Sequence, residues 1–171
     1  MPRTEAKQVP NCSPAEIAAF KELVIEADEV DPAGFDRRLA RAERLIFLYS
    51  DDDDLVGVGA VKRPNEGHKR QVFHDANSPE DPSAYAFEIG WIVVKPAFRN
   101  QHLSRYLVEA ALSVVGEVNV FATVRTNNEP MRRTNEGFGF QPSGNSFRTT
   151  RQDRDYNLSL FTKRKRSSYA K

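Results

Sequence analysis

The stretch Phe87-Glu88-Ile89-Gly90-Trp91-Ile92-Val93-Val94-Lys95-Pro96-Ala97-Phe98-Arg99-Asn100-Gln101-His102-Leu103-Ser104-Arg105 decides the fold. Its first half continues an apolar run that predicts a buried strand over 85–94. Lys95-Pro96 ends that strand, because proline gives no ladder N–H and restricts the residue before it. Apolar residues then recur at Leu103, Tyr106, Leu107, Ala110, Ala111, Val114 and Val115, an amphipathic helical spacing closed by Gly116. A strand that turns sharply into a helix N-terminus suits an anion. Free backbone N–H groups and the positive helix end converge there, and Arg99 and Arg105 add charge. Read only as a pattern, the segment serves equally well as an ordinary strand–turn–helix with solvated arginines.

On the N-terminal side, residues 1–12 are polar and aperiodic and read as a disordered lead-in. Ser13-Pro14-Ala15-Glu16 has the form of a capping box with proline at the first helical position, which predicts a helix to about Ala27. A second helix restarts at Asp31-Pro32, and Leu45 to Tyr49 and Leu55 to Val61 read as two strands. Asp51 to Asp54 form the tip between them. The tip lacks the glycine and final glutamate of a calcium loop. Residues 62–83 read as a long polar loop of mixed charge carrying His68 and His74, with no third residue at metal-ligand spacing. On the C-terminal side, Val118 to Val124 predicts a strand, Pro130 to Glu136 a short helix, Phe138 to Gln141 a strand start and Leu158 to Thr162 a last strand. Trp91, between Ile89 and Val93 on one face, reads as core. The element order is that of a mixed α+β protein, a mostly antiparallel sheet flanked by helices with one crossover helix mid-chain.

The chain has 171 residues, 25 Lys+Arg against 24 Asp+Glu, one cysteine, 39% hydrophobic and 29% charged residues. These values describe one globular domain at residues 13–163, with a basic tail at 164–171. No apolar run approaches the roughly 20 residues of a membrane helix, and MPRTEAKQVP has no secretory core, so a membrane partner is not expected. Cys12 alone forms no internal disulfide and no cysteine-built zinc site, which suits the cytoplasm. The even charge balance disfavours nucleic acid as a partner; Lys163-Arg164-Lys165-Arg166 is the one segment that would bind it.

The central segment resembles the core motif of the GNAT N-acetyltransferase superfamily, in which a strand and a proline precede Arg/Gln-x-x-Gly-x-Gly/Ala and a helix. Here that motif reads Arg99-Asn100-Gln101-His102-Leu103-Ser104. Asn128-Glu129-Pro130-Met131-Arg132-Arg133-Thr134-Asn135-Glu136-Gly137-Phe138-Gly139-Phe140 is similar to the second motif of that family, Asn, a short helix, Tyr, then Gly-Phe. The resemblance spans roughly residues 14–163. It implies a GNAT-like fold and transfer of acetyl from acetyl-CoA to an amine by direct attack, with no metal. Ile92, Val93 and Val94 would hold the pantetheine arm and the acetyl carbonyl. Arg99, Asn100, Gln101, His102, Leu103 and Ser104 would cradle the pyrophosphate. Asn128 would contact pantetheine, unless it only caps the helix that follows.

Two departures stand out. The family's loop usually carries glycine at the variable position 100 as well as at 102, whereas none of the nine glycines here falls in residues 99–104. Asn and His are among the residues most enriched at positive φ, so the turn is expected to survive and to keep its ligand. Asn135 stands where the family carries its acid tyrosine. It offers a hydrogen bond to the leaving sulfur but no proton. Glu88, in an otherwise apolar strand, is at the position of the family's glutamate base. Tyr106 is an alternative acid, although its helical position suits packing. The acceptor is expected to be a small molecule or a free amino group, in a groove formed by the first two helices and the 62–83 segment, and a homodimer is left open. The rival reading is a catalytically weak or inactive acyl-CoA-binding module of the same fold.

Overall fold

The computed structural model describes residues 1–167. The chain forms two compact units, residues 1–63 with 89–114 and residues 64–88 with 115–171.

In the first unit, β1 (Arg3–Lys7), β2 (Arg44–Tyr49) and β3 (Leu55–Lys62) pair antiparallel, Arg3 opposite Tyr49 and Leu45 opposite Ala60. β3 is followed in the sheet by β4 (Phe87–Val94), whose residues from Ile89 onward belong to this unit. Helix α1 (Pro14–Glu26) starts at the expected capping box: the Ser13 hydroxyl accepts from Glu16 N–H at 3.1 Å and Glu16 accepts from Ser13 N–H at 3.2 Å. Helix α2 (Phe35–Ala40) follows, entered through Gly34 at φ 72°. Phe20, Val24, Phe35, Phe47, Val58 and Trp91 join one buried cluster between these helices and the sheet. Helix α4 (Ser104–Val115) lays Leu107 on Gly57 and Gly59 of β3. A Cβ on Gly57 would stand 2.9 Å from the Val93 carbonyl oxygen, and one on Gly59 2.7 Å from Ile92 Cδ1, so the two glycines let β4 and α4 approach β3 closely.

The expectation for residues 1–12 needs correction: Arg3–Lys7 is a strand. As an edge strand it is held by ladder hydrogen bonds and by the Lys7–Glu16 pair at 2.7 Å, with Lys7 keeping the Glu16 carboxyl below the usual carboxylate range. Charged residues at an edge protect it from further pairing and erase the apolar alternation that signals a strand.

In the second unit, Phe87 and Glu88 of β4 pair parallel with β5 (Val120–Arg125), Phe87 opposite Val120 and Glu88 opposite Phe121. β5 pairs antiparallel with β8 (Asn157–Lys163), which also takes β6 (Gln141–Pro142) and β7 (Phe147–Arg148). The expected 62–83 loop contains helix α3 (Glu66–Asp75), capped by Asn65, whose side chain accepts from Gly67 and His68 N–H. His68 and His74 lie exposed on it. Its buried stripe is Lys69, Val72, Phe73 and Ala76, a helical spacing disguised by the lysine at its head. Lys69 is 3% exposed and donates to the Tyr85 carbonyl at 2.9 Å and to Glu66 at 3.0 Å. Phe73, Tyr85, Phe121, Phe147 and Leu160 make the core here. Helix α5 (Glu129–Gly137) ends in turns rather than leading straight into a strand at Phe138: Phe138 and Phe140 N–H both donate to the Asn135 carbonyl, and Gly139 sits at φ 89°. Of the expected basic tail, Arg164 pairs with Glu80, Lys165 N–H donates to Asn119 Oδ1 and Arg166 N–H to Glu117. Residues 168–171 lie outside the described residues.

Candidate active site

In the first unit, the end of β4 and the start of α4 are joined by a tight turn. Pro96–Phe98 form one 3-10 turn closed by Phe98 N–H to the Lys95 carbonyl at 2.9 Å, and Arg99 Nε donates back to the Val94 carbonyl at 3.2 Å. Asn100 then adopts φ 64° and His102 φ 56°. These are the two positions where glycine is expected from the family pattern, and both hold the left-handed conformation that makes glycine useful there. Arg99, Asn100, Gln101 and His102 are exposed, Leu103 is buried beneath them and Ser104 opens the helix half-buried. The result is an exposed set of polar side chains at a positive helix end, with its backbone already bent as phosphate contact requires.

Upstream, Trp91 adopts φ 51° within β4, a conformation rare for a bulky residue. Its ring is clamped edge-on by Phe35 (centroids 5.0 Å apart, 86°) and Phe20 (6.2 Å, 76°), with Lys62 Nζ 4.8 Å above it. Aromatic contacts of this kind offset local strain of order 1–3 kcal/mol. The sequence reading of Trp91 as core holds, but it carried no signal of the backbone twist. Ile92 and Val94 are half-buried beyond it and Val93 is buried.

The second unit holds the acid–base candidates. Glu88 is 4% exposed and stands on one rung with Phe121, Thr162 and Gln141. Directly opposed strand residues project to one face, so the carboxylate shares the face of Phe121 and Thr162. Asn135, on α5, is 1% exposed, and neither atom of its side-chain amide has a hydrogen-bond partner among the described residues. An unmet buried polar group costs about 1–3 kcal/mol. Asn128 caps α5, its Oδ1 accepting from Met131 N–H at 3.2 Å. Tyr106 is half-buried under the Arg105 guanidinium.

Two features escaped the sequence reading. Arg132, one helical turn before Asn135, has a buried Nε with no partner among the described residues. The guanidinium end is partly exposed, with Nη1 3.8 Å from Glu129 Oε2, and nothing in the sequence of a short polar helix marks which atom is covered. The second is a cleft of about 490 Å³ lined by Glu80, Gly139, Gln141, Ser143, Thr162 and Arg164, among others. Beneath it, the fully buried Tyr85 donates its hydroxyl to Glu80 at 3.1 Å. Burial pushes the Tyr85 hydroxyl up, with Glu80 reinforcing the shift and bonds from Thr162 and Arg164 opposing it. Cys12 is half-buried in the first unit and its thiol is likewise pushed up by burial, away from the thiolate character of a nucleophile.

An exposed turn at a helix start with left-handed residues at 100 and 102, a twisted strand before it and a buried glutamate together match one family pattern. The chain belongs to the acetyltransferase (GNAT) family, whose family model matches residues 14–140. Its fold, an α+β sheet with mostly antiparallel pairing and flanking helices, is shared with solved structures of low identity. An acyl-CoA N-acyltransferase from Pseudomonas aeruginosa is 15% identical with a TM-score of 0.63, covering 95% of this chain and 99% of that one. A GNAT family acetyltransferase from Elizabethkingia anophelis with acetyl-CoA bound is 13% identical, TM-score 0.64, covering 95% and 97%. Arabidopsis thaliana NAA60 in complex with a bisubstrate analogue is 12% identical, TM-score 0.65, covering 94% and 97%. No curated protein matches the sequence. No helix among the described residues is long and apolar enough to cross a membrane.

Proposed function

We propose that the protein is an N-acetyltransferase that moves acetyl from acetyl-CoA to the amine of a small molecule or a free amino group by direct attack. The observation that carries the reading is the left-handed pair Asn100 and His102 in the turn before α4. Asn100 and His102 hold the left-handed backbone that glycines supply in the family pattern, and the exposed Arg99, Gln101 and His102 at the helix start suit a pyrophosphate. Acetyl-CoA supplies the activated acyl group. Arg99 through Ser104 bind its phosphates, Ile92 to Val94 offer backbone groups to the pantetheine arm and carbonyl, and Asn128 adds a polar contact. Glu88 takes the proton of the attacking amine, directly or through one water. Asn135 offers an N–H to the leaving sulfur. A thiol of pKa near ~8.5 departs tolerably as thiolate at neutral pH, so the missing tyrosine lowers the rate without forbidding the reaction.

The buried, unpartnered Asn135 favours a second reading, a binding module of the same fold with little turnover. Thermal stability with and without acetyl-CoA tests both: cofactor at 100-fold over Kd adds about 2.7 kcal/mol. No shift at millimolar acetyl-CoA sinks both. Given a shift, acetyl transfer across a panel of amines by the wild type identifies the enzyme, and its absence identifies the module.

A further inference from the structure

We propose that the cleft in the second unit is a binding site for a small organic carboxylate, held on the Arg164 guanidinium and separate from the residues of acetyl transfer. Its volume of about 490 Å³ matches small-molecule sites, and every residue lining it belongs to that one unit. The walls are fixed by the fold. A Cβ at Gly144 would stand 2.0 Å from the Ala76 carbonyl oxygen, and Asn145 N–H donates to that same oxygen at 2.6 Å, so the segment around Gly144 is pinned to the end of α3. Ser143 N–H is tied to the Leu160 carbonyl of β8 at 2.8 Å.

The cation is aimed from beneath. The Tyr85 hydroxyl, fully buried, donates to Glu80 Oε2 at 3.1 Å and is itself bonded by Thr162, while Arg164 Nη2 donates to Glu80 Oε1. Both oxygens of the Glu80 carboxylate therefore carry donors. The Glu80 side chain is 17% exposed against 71% for Arg164, so the matched carboxylate lies below and the guanidinium meets solvent. Arginine has five N–H donors, more than its bonds to Glu80 and Tyr85 use, and its planar fork fits the two oxygens of a carboxylate. Arg164 and Glu80 are the charged residues of the lining and cancel. Lys163 tips the balance positive: its Nζ lies 3.4 Å from where a Gly139 Cβ would stand, at the cleft's edge. The Ser78 and Ser143 hydroxyls, 2.6 Å apart, use one of their two protons between them and keep the other for a ligand oxygen.

The cleft does not serve the acetyl acceptor. Thr162 lines it and shares a rung with Glu88, but the fully buried Phe121 stands between the two on that rung. A ligand here is an additional one, and the inference does not depend on the acetyl-CoA reading.

Titration calorimetry with acetate, succinate and citrate at constant ionic strength, without acetyl-CoA, tests the site. The wild type is expected to bind at least one of them saturably at one site and more tightly than inorganic phosphate. Arg164→Gln is expected to lose about tenfold or more in affinity, the scale of a hydrogen bond between charged groups. Arg164→Lys, which keeps the charge without the fork, is expected to lose part of it and guards against a folding defect in the glutamine variant. Arg148→Gln, altering an arginine 70% exposed and outside the cleft, is expected to bind as the wild type does. No saturable binding, tighter binding of phosphate than of all three carboxylates, unchanged affinity in Arg164→Gln, or an equal loss in Arg148→Gln each overturns the proposal.

Discussion

The turn at residues 99–104 and the helix at residues 129–137 each depart from the family pattern, and they absorb the departure in opposite ways. At the turn, glycines are replaced by Asn100 and His102, and the backbone keeps φ 64° and 56°. What glycine contributes there is conformational, and a residue tolerant of the left-handed region reproduces it at modest cost. At the helix, tyrosine is replaced by Asn135, which is buried with its amide unmet. What tyrosine contributes is a titratable hydroxyl, and no amide reproduces it. A shape can be inherited by a different residue; a proton cannot.

The largest effect should come from Glu88→Gln, expected to lower acetyl transfer by about 10²–10⁴ while leaving acetyl-CoA binding intact. An unchanged rate would move the base elsewhere and remove the second unit's part in the contrast. Next in size is Asn100→Val. A β-branched residue at φ 64° should cost roughly 1–2 kcal/mol in denaturant unfolding and weaken CoA binding, whereas Asn100→Gly should keep both near wild type. If valine is tolerated, the turn's shape is not what the loop preserves. Smaller is Asn135→Leu, which trades an unmet amide for an apolar side chain of similar volume. Its stability should hold or rise by about 1 kcal/mol as transfer falls; a stability loss would show that the amide has a structural partner. The smallest concerns Tyr85. Its hydroxyl is pushed up in the folded state, so above pH ~10 the unfolded chain loses that proton first and stability falls as pH rises. Tyr85→Phe should flatten that alkaline decline, read as Tm against pH.

The sequence made the middle of the molecule legible because its signals there are redundant. The capping box at Ser13, the proline ending β4 and the apolar spacing from Leu103 through α4 each fix a boundary by a separate physical rule. β1 and α3 were hidden for opposite reasons. β1 is polar because it lies at an edge, and α3 looked like a loop because Lys69 occupies its buried stripe with its charge met by a carbonyl and a carboxylate. Glu88 and Asn135 were legible as positions but their burial was not, since it depends on the rung and helix face that only the fold sets.

The chain's end has a practical side. Arg164 ties the tail to Glu80 in the loop after α3, while Lys165 on Asn119 and Arg166 on Glu117 clasp the segment that leads into β5. A purification tag, a fusion partner or a trimmed terminus that begins at Lys163 therefore unfastens the approach to the strand paired with Glu88. One attached after Ser167 leaves that clasp closed.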